Sequence, residues 1–268
     1  MSHASARGVR AALLLIALAG CGDAATQPPD ATDDSSSGSP SGSSSGSSAT
    51  AYVAAGRVTD AAGRPIAGAE VVANNQLLVA RNVVGRTDGD GRYRLELPEI
   101  PATWALSASM RRTYDGNTYQ LPLEVSDPST FAGNRGAVRD FVWRVQGPRP
   151  DGGYYGSPVI AYHDLNDYDL VMEDVELTLT PAAPIIDGSA GKTIVQHLRA
   201  TADGDAVVDV PLGRYTISAR EAPAGRPARA LQIRRRNTGG YAATLTTAFA
   251  APYGANLDVQ QIVVEVRR

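Results

Sequence analysis

The sequence predicts an all-β protein: two antiparallel β-sandwich domains that follow an N-terminal targeting segment and a disordered Ser/Gly linker. Three observations carry this. Apolar residues recur at every second position over several short runs, the half-buried strand pattern. Glycine (27) and proline (17) are abundant among 268 residues, which suits a turn-rich β chain. After residue 20 no stretch shows a sustained 3.6-residue apolar period. The 43% hydrophobic content is enough for a core. The net charge of −3 excludes a basic nucleic-acid surface. One cysteine and three histidines exclude a disulfide framework and a cysteine zinc cluster.

Residues 1–20 read as a signal peptide. Arg7 and Arg10 precede a short apolar run, Ala11 to Ala19, too short to span a bilayer, which needs about 20 residues. The run ends in Leu18-Ala19-Gly20-Cys21, with the chain's single cysteine last. This tetrapeptide resembles the lipobox of bacterial lipoproteins. The resemblance implies acylation of Cys21 and cleavage before it, with the lipid bilayer as the first partner. Two or more acyl chains anchor stably. Gly22, where an Asp would favour inner-membrane retention, directs the expectation to the outer membrane or cell surface. Cleavage removes two arginines and no acid, so the mature charge is −3 − 2 = −5.

Residues 21–50 form the lipidated linker, in which Ser35 to Ser48 contains only Ser, Gly and Pro. Such a tract cannot bury enough surface to offset its ordering entropy. About 30 residues of it give a reach of roughly 30 Å. The serine in Gly42-Ser43-Ser44-Ser45-Gly46 has no strand before it and no helix after it, so it is no nucleophile elbow.

The first sandwich is expected over 51–146. In Arg92 to Leu97, Tyr93, Leu95 and Leu97 face one way and the charges the other. Trp104, Leu106, Ala108 and Met110 form a second stripe, and Phe141, Trp143 and Val145 a third. Both tryptophans therefore read as core. Turns separate the runs at Asp60 to Gly63 and Asp88 to Gly91, and at Pro98 and Pro101. Gly56-Arg57-Val58-Thr59-Asp60 through Pro65, Gly68 and Val71, with Thr87-Asp88-Gly89-Asp90-Gly91-Arg92-Tyr93, resembles a carboxypeptidase regulatory-like domain. The resemblance implies a transthyretin-like sandwich with no catalytic role of its own. In it Val58 would open a strand, Gly68 would permit a tight approach, and the Thr-Asp-Gly-Asp-Gly run would be a hairpin turn.

Residues 147–168, rich in Gly, Pro and Tyr, are read as the inter-domain segment, and 169–268 as the second sandwich. Val175, Leu177 and Leu179 alternate with polar residues, as do Tyr215, Ile217 and Ala219, and Ile262, Val264 and Val266. Gly213-x-Tyr215 echoes Gly91-x-Tyr93, a hint that both sandwiches are of one kind.

No convergent chemistry emerges, so no catalytic residue, no cofactor and no metal site is assigned. His163 and His197 are not followed by Glu at the third position, as a zinc carboxypeptidase requires. Gly191-Lys192-Thr193 lacks the glycine that opens a phosphate loop. Asp164, Asn166, Asp167, Asp169, Glu173 and Asp174 offer oxygens for calcium but lack the EF-hand order. Tyr154 and Tyr155 are the presentable aromatics and the candidate ligand-binding residues. Arg234-Arg235-Arg236 and Arg267-Arg268 read as solvated sheet edges that discourage edge pairing. The functional expectation is a non-enzymatic, membrane-anchored surface or periplasmic lipoprotein presenting interaction modules, with other envelope proteins or glycans as partners. The alternative is a carbohydrate- or peptidoglycan-binding module.

Overall fold

The structure, a computed structural model, describes residues 49–78, 81–150, 152–250 and 260–268. The expected signal peptide, Cys21 and the part of the expected linker before residue 49 lie outside the described residues. The chain is all-β, as expected, and its strands form two bodies within one compact unit.

The first body holds β1 (Val53–Asp60), β2 (Glu70–Asn75), β3 (Val83–Arg86), β4 (Arg92–Glu96), β5 (Thr103–Tyr114), β6 (Asn117–Pro122), β7 (Glu124–Val125), β8 (Phe131–Ala132), β9 (Ala137–Val138) and β10 (Phe141–Trp143). One sheet has the order β4-β1-β10-β7 and the other β3-β2-β5-β6; β9 lies on β1 and β8 on β5. The alternating stripes supply the layer between them. Tyr93, Leu95 and Leu97 are buried from one sheet, Trp104, Ala108 and Met110 from the other. Gly85 lets the sheets close, because a Cβ there would lie 2.4 Å from Leu95.

Three local expectations need correction. Val58 does not open a strand; β1 starts five residues earlier, at Val53. Gly68 serves its backbone rather than a close contact: its φ is +73° and a Cβ would meet nothing within 4 Å. The turn after Thr87 is not a hairpin, since β3 pairs with β2 and β4 with β1 in the opposite sheet. Asp88 still makes the turn, accepting the N–H groups of Asp90 and Arg92 on Oδ1. Composition marks a turn but not the sheet to which the next strand goes.

The second body holds β11 (Ser157–His163), β12 (Val175–Pro181), β13 (Ile194–His197), β14 (Arg199–Thr201), β15 (Gly204–Val210), β16 (Arg214–Glu221), β17 (Arg229–Arg235), β18 (Thr238–Ala242), β19 (Leu245–Ala248) and β20 (Ile262–Arg267). Thus the stretch 147–168, expected between the bodies, contains a strand of the second. Val159, Ile160 and Ala161 are all buried, so β11 is a continuous apolar run without alternation, and the Gly/Tyr-rich lead-in masks it.

The strand path is β13-β12-β16-β17-β20-β11-β15-β14. It turns a corner within β17, whose Arg229–Leu231 half pairs with β16 and whose Gln232–Arg235 half pairs with β20. Its two ends, β13 and β14, are separated only by the buried Leu198. The path therefore nearly closes on itself, which leaves little free edge.

Alternation suggested wholly antiparallel sheets, but the first and last strands of each body run parallel: Val58↔Phe141 in one, Val159↔Ile262 in the other. The connectivity repeats further. β1 lies between antiparallel β4 and parallel β10, and β11 between antiparallel β15 and parallel β20. β2 pairs with β3 and β5 as β12 pairs with β13 and β16. The bodies are of one kind, but the Gly-x-Tyr echo joins non-equivalent strands. The counterpart of β4 is β15, entered through Thr201-Ala202-Asp203-Gly204, whereas Tyr215 lies on β16, the counterpart of β5. A Gly-x-aromatic pair marks any tight strand entry with an inward ring.

Candidate functional site

The junction of the two bodies is built by a hairpin. Asp115 (φ 50°) and Gly116 (φ 78°) form a two-residue turn between β5 and β6, both in the left-handed region that a type I′ turn requires. The β2–β5 ladder stops at Glu70↔Ser109, while β5 continues with β6 as far as Tyr114↔Asn117. The projecting tip meets the second body. Arg214 places Nη2 at 2.8 and 2.7 Å from the two Asp115 carboxylate oxygens. The Arg214 backbone N–H donates to Tyr114 Oη at 3.0 Å. Asp115 holds the Arg214 guanidinium above its ordinary pKa, first through these hydrogen bonds. Tyr119, only 1% exposed, donates its hydroxyl to the Phe249 carbonyl at 3.1 Å. Burial pushes the Tyr119 phenol up.

A second tie holds the connecting segment. Asp209 adopts φ 61° at a register shift between β11 and β15. Its carboxylate accepts the backbone N–H of Gly147 at 2.9 Å and that of Gly156 at 3.0 Å. Gly156 is required there, since a Cβ would fall 2.4 Å from the Asp209 carbonyl carbon. Alternation along β15 carries no sign of this residue's role, because the bulge turns its side chain out of register.

Tyr154 and Tyr155 lie in the tied segment. Tyr154 is 36% exposed, with the Arg199 guanidinium 5.1 Å from its ring centroid. Tyr155 is half-buried beneath Arg149, at 5.2 Å, and its phenol is raised first by burial and then by Glu124. Each ring therefore has one face under a cation. Cys21, the candidate lipidation site, lies outside the described residues. Trp104 and Trp143 are 0% and 4% exposed, in the core as expected.

The acidic residues after β11 have separate tasks. Asp164 accepts the Tyr241 hydroxyl at 2.7 Å, Asp167 pairs with Arg268 at 3.0 Å, and Asp174 faces Arg226 at 3.8 Å. Among the described residues no three His, Cys, Asp or Glu side chains converge as a metal site. His163 packs its ring against Tyr168, and His197 lies 3.1 Å from the Ala222 carbonyl. The arginine runs are not at sheet edges: β17 and β20 are both interior to the path. Instead the Arg234 and Arg267 guanidiniums lie 4.4 and 4.1 Å from the Tyr241 ring centroid, and Arg236 lies 3.7 Å from that of Tyr162. A position at the end of the chain says nothing of whether the strand there is central in its sheet.

A groove of about 430 Å³ opens on the first body, lined among others by Ile66, Gly68, Arg86, Arg111, Arg112 and Gln120.

Residues 54–132 match the carboxypeptidase regulatory-like domain family, so the first body is a domain of that class. Its fold extends past the match, through β9 and β10. No curated protein matches the chain. Among solved structures, the chain is 16% identical to the Bacillus anthracis TIE protein, with a TM-score of 0.31, over 81% of this chain and 34% of that one. It thus spans about a third of that protein's length. The C-terminal fragment of the pilus adhesin SpaC from Lactobacillus rhamnosus GG is 14% identical with a TM-score of 0.25, covering 80% of this chain and 96% of that one. The shaft pilin SpaA from the same organism is 12% identical with a TM-score of 0.23, covering 82% and 99%. No helix among the described residues is long and apolar enough to cross a membrane.

Proposed function

We propose that this chain is a non-enzymatic, lipid-anchored lipoprotein of the bacterial surface or periplasm, whose two tied β bodies act as interaction modules. The observation that supports it most is the junction. Hydrogen bonds and an ion pair commit Tyr114, Asp115, Tyr119 and Arg214 to fixing one body against the other, and Asp209 holds the segment between them. Asp164, Asp167 and Asp174 are likewise engaged in holding the fold, and residues 54–132 match a regulatory-like domain family. The anchor rests on Leu18-Ala19-Gly20-Cys21 alone. Expression of the full chain in a Gram-negative host with labelled palmitate tests it. Label and membrane partition are expected for the natural chain and should both be lost in Cys21→Ser. A variant still labelled and membrane-bound would overturn the anchor.

A second reading, glycan binding, is favoured by Tyr154, whose exposed ring and the Arg199 guanidinium form an apolar face edged with donors. Glycan-array binding that disappears in the Tyr154→Ala/Tyr155→Ala double variant would support it; an array without hits would remove it.

A further inference from the structure

We propose that the groove beside β5 binds an extended acidic peptide, which adds as a short strand to the open edge of β5. This deepens the interaction-module reading, on which it rests, by naming a site and a partner chemistry.

The edge follows from the register. Ladder pairing between β2 and β5 stops at Glu70↔Ser109, yet β5 runs five residues further, to Tyr114, with β6 on its other side. In an antiparallel strand the backbone groups of alternate residues point to opposite edges. The Leu123 N–H donates to the Ala108 carbonyl, so the even-numbered residues of this stretch serve the β6 side. Arg111 and Thr113 therefore aim their N–H and C=O groups into the groove. Among the described residues neither has a backbone partner there. Two such residues are about 7 Å apart along a strand, room to pair with some three residues of a guest.

The opposite wall does not fill this gap. It is the Ile66–Gly68 loop, whose groups are committed elsewhere: the Gly68 N–H donates to the Thr87 carbonyl at 3.0 Å, and the Gly68 carbonyl accepts Arg86 Nη1 at 3.1 Å. Unpaired ladder groups at such an edge are a template for strand addition.

Charge selects the guest. Three guanidiniums line the groove, and Glu70 neutralises only that of Arg86. Arg112 lies 5.1 Å over the Trp143 ring, an interaction that leaves its charge uncancelled, and Arg111, exposed, pairs with no carboxylate among the described residues. A local excess of positive charge in a chain of net charge −3 fits carboxylates. The two faces of an added strand would differ. One would run beside Arg111 and Gln120, which are paired across β5 and β6, and the other towards Met110 and Ile66. A sequence alternating acidic and small apolar residues meets both.

The probe is a fluorescein-labelled Val-Glu-Val-Glu-Val peptide, titrated by anisotropy against the full chain. Two N-methylated forms, one methylated on the Val nitrogens and one on the Glu nitrogens, block one edge of the peptide each. Binding is expected, with at least about a tenfold loss for one form and little change for the other. Arg111→Glu and Thr113→Pro should each weaken binding by a similar factor. Neither touches the core, and the proline substitution removes an N–H on the groove side only, so an unchanged far-UV spectrum and Tm certify the fold. Absence of binding overturns the proposal. So does equal binding of both methylated forms, or displacement by inorganic phosphate at equal charge concentration, because charge without strand pairing would then suffice. Palmitate labelling at Cys21 is unaffected by any of these outcomes, so the anchor reading stands or falls separately.

Discussion

Arg214 grips both carboxylate oxygens of Asp115 across the junction while its own backbone N–H is held by Tyr114. One residue at the start of β16 thus fastens the whole β5–β6 tip. The pair is partly exposed, 41% and 26% by side chain, so solvent screens it. Arg214→Ala should therefore lower Tm by only a few degrees, yet loosen the bodies relative to each other. Separate rotational correlation times for the two bodies by NMR relaxation would show this. Tyr119→Phe, which strands the buried Phe249 carbonyl, should cost more, about 1–3 kcal/mol in urea denaturation.

Asp209 governs protease access to the connecting segment. Its carboxylate ties down Gly147 and Gly156, so the bonds between them should be cut slowly. Pro150 shields the bond after Arg149 from trypsin in any case, which makes chymotrypsin, cutting after Tyr154 and Tyr155, the better probe. Asp209→Ala loses both hydrogen bonds and keeps the strained φ, at an expected cost of about 1–3 kcal/mol. Cleavage within 147–156 should accelerate, with none within Ser157–His163. Equal cleavage of both proteins would show that the tie does not hold the segment.

The tryptophans report on the first core. Fluorescence should be blue-shifted and resistant to iodide, since both rings are buried. Trp104→Ala should cost about 3–5 kcal/mol, the range for emptying a large aromatic site. Red-shifted, readily quenched emission would contradict the inward face of β5.

Acid should destabilise the protein. The Tyr241 hydroxyl hydrogen bond, aided by Asn166, holds Asp164 below the ordinary 3.8, and the Arg268 hydrogen bond holds Glu221 below 4.5. For each, the folded chain takes up its proton at lower pH than the unfolded chain. Their stabilisation is complete above the unfolded values and is lost as pH falls through them toward the folded ones. Calorimetry should find Tm level in this respect above about pH 5 and falling below about pH 4.5. Asp164→Asn should flatten part of that fall; an identical slope would remove Asp164 from the account.

The half-buried strands were legible because alternation reports burial directly. Tyr93, Leu95 and Trp104 show it in β4 and β5. Strand β11 was hidden because Val159-Ile160-Ala161 is buried on both faces, which erases the period, and the Gly152-Gly153 lead-in reads as loop. The Asp115-Gly116 turn carried a sequence signal, the Asp-Gly pair typical of two-residue hairpins, but its docking target did not. Asp209 carried none, since a bulge is a property of pairing between two strands rather than of one.

The sequence by itself determined the β class, the positions of the turns and the inward faces of the amphipathic strands. These depend on residues within one strand or one turn of each other. Tertiary structure alone decided which sheet each strand joins, the parallel pairing of first and last strands, and the near-closure of the second body. It also decided the bond between Asp115 and Arg214, the placing of the terminal arginines over Tyr241, and the unpaired edge at Arg111 and Thr113. Each of these is a relation between segments far apart in the chain, fixed by the register of one strand on another, and no local period encodes it.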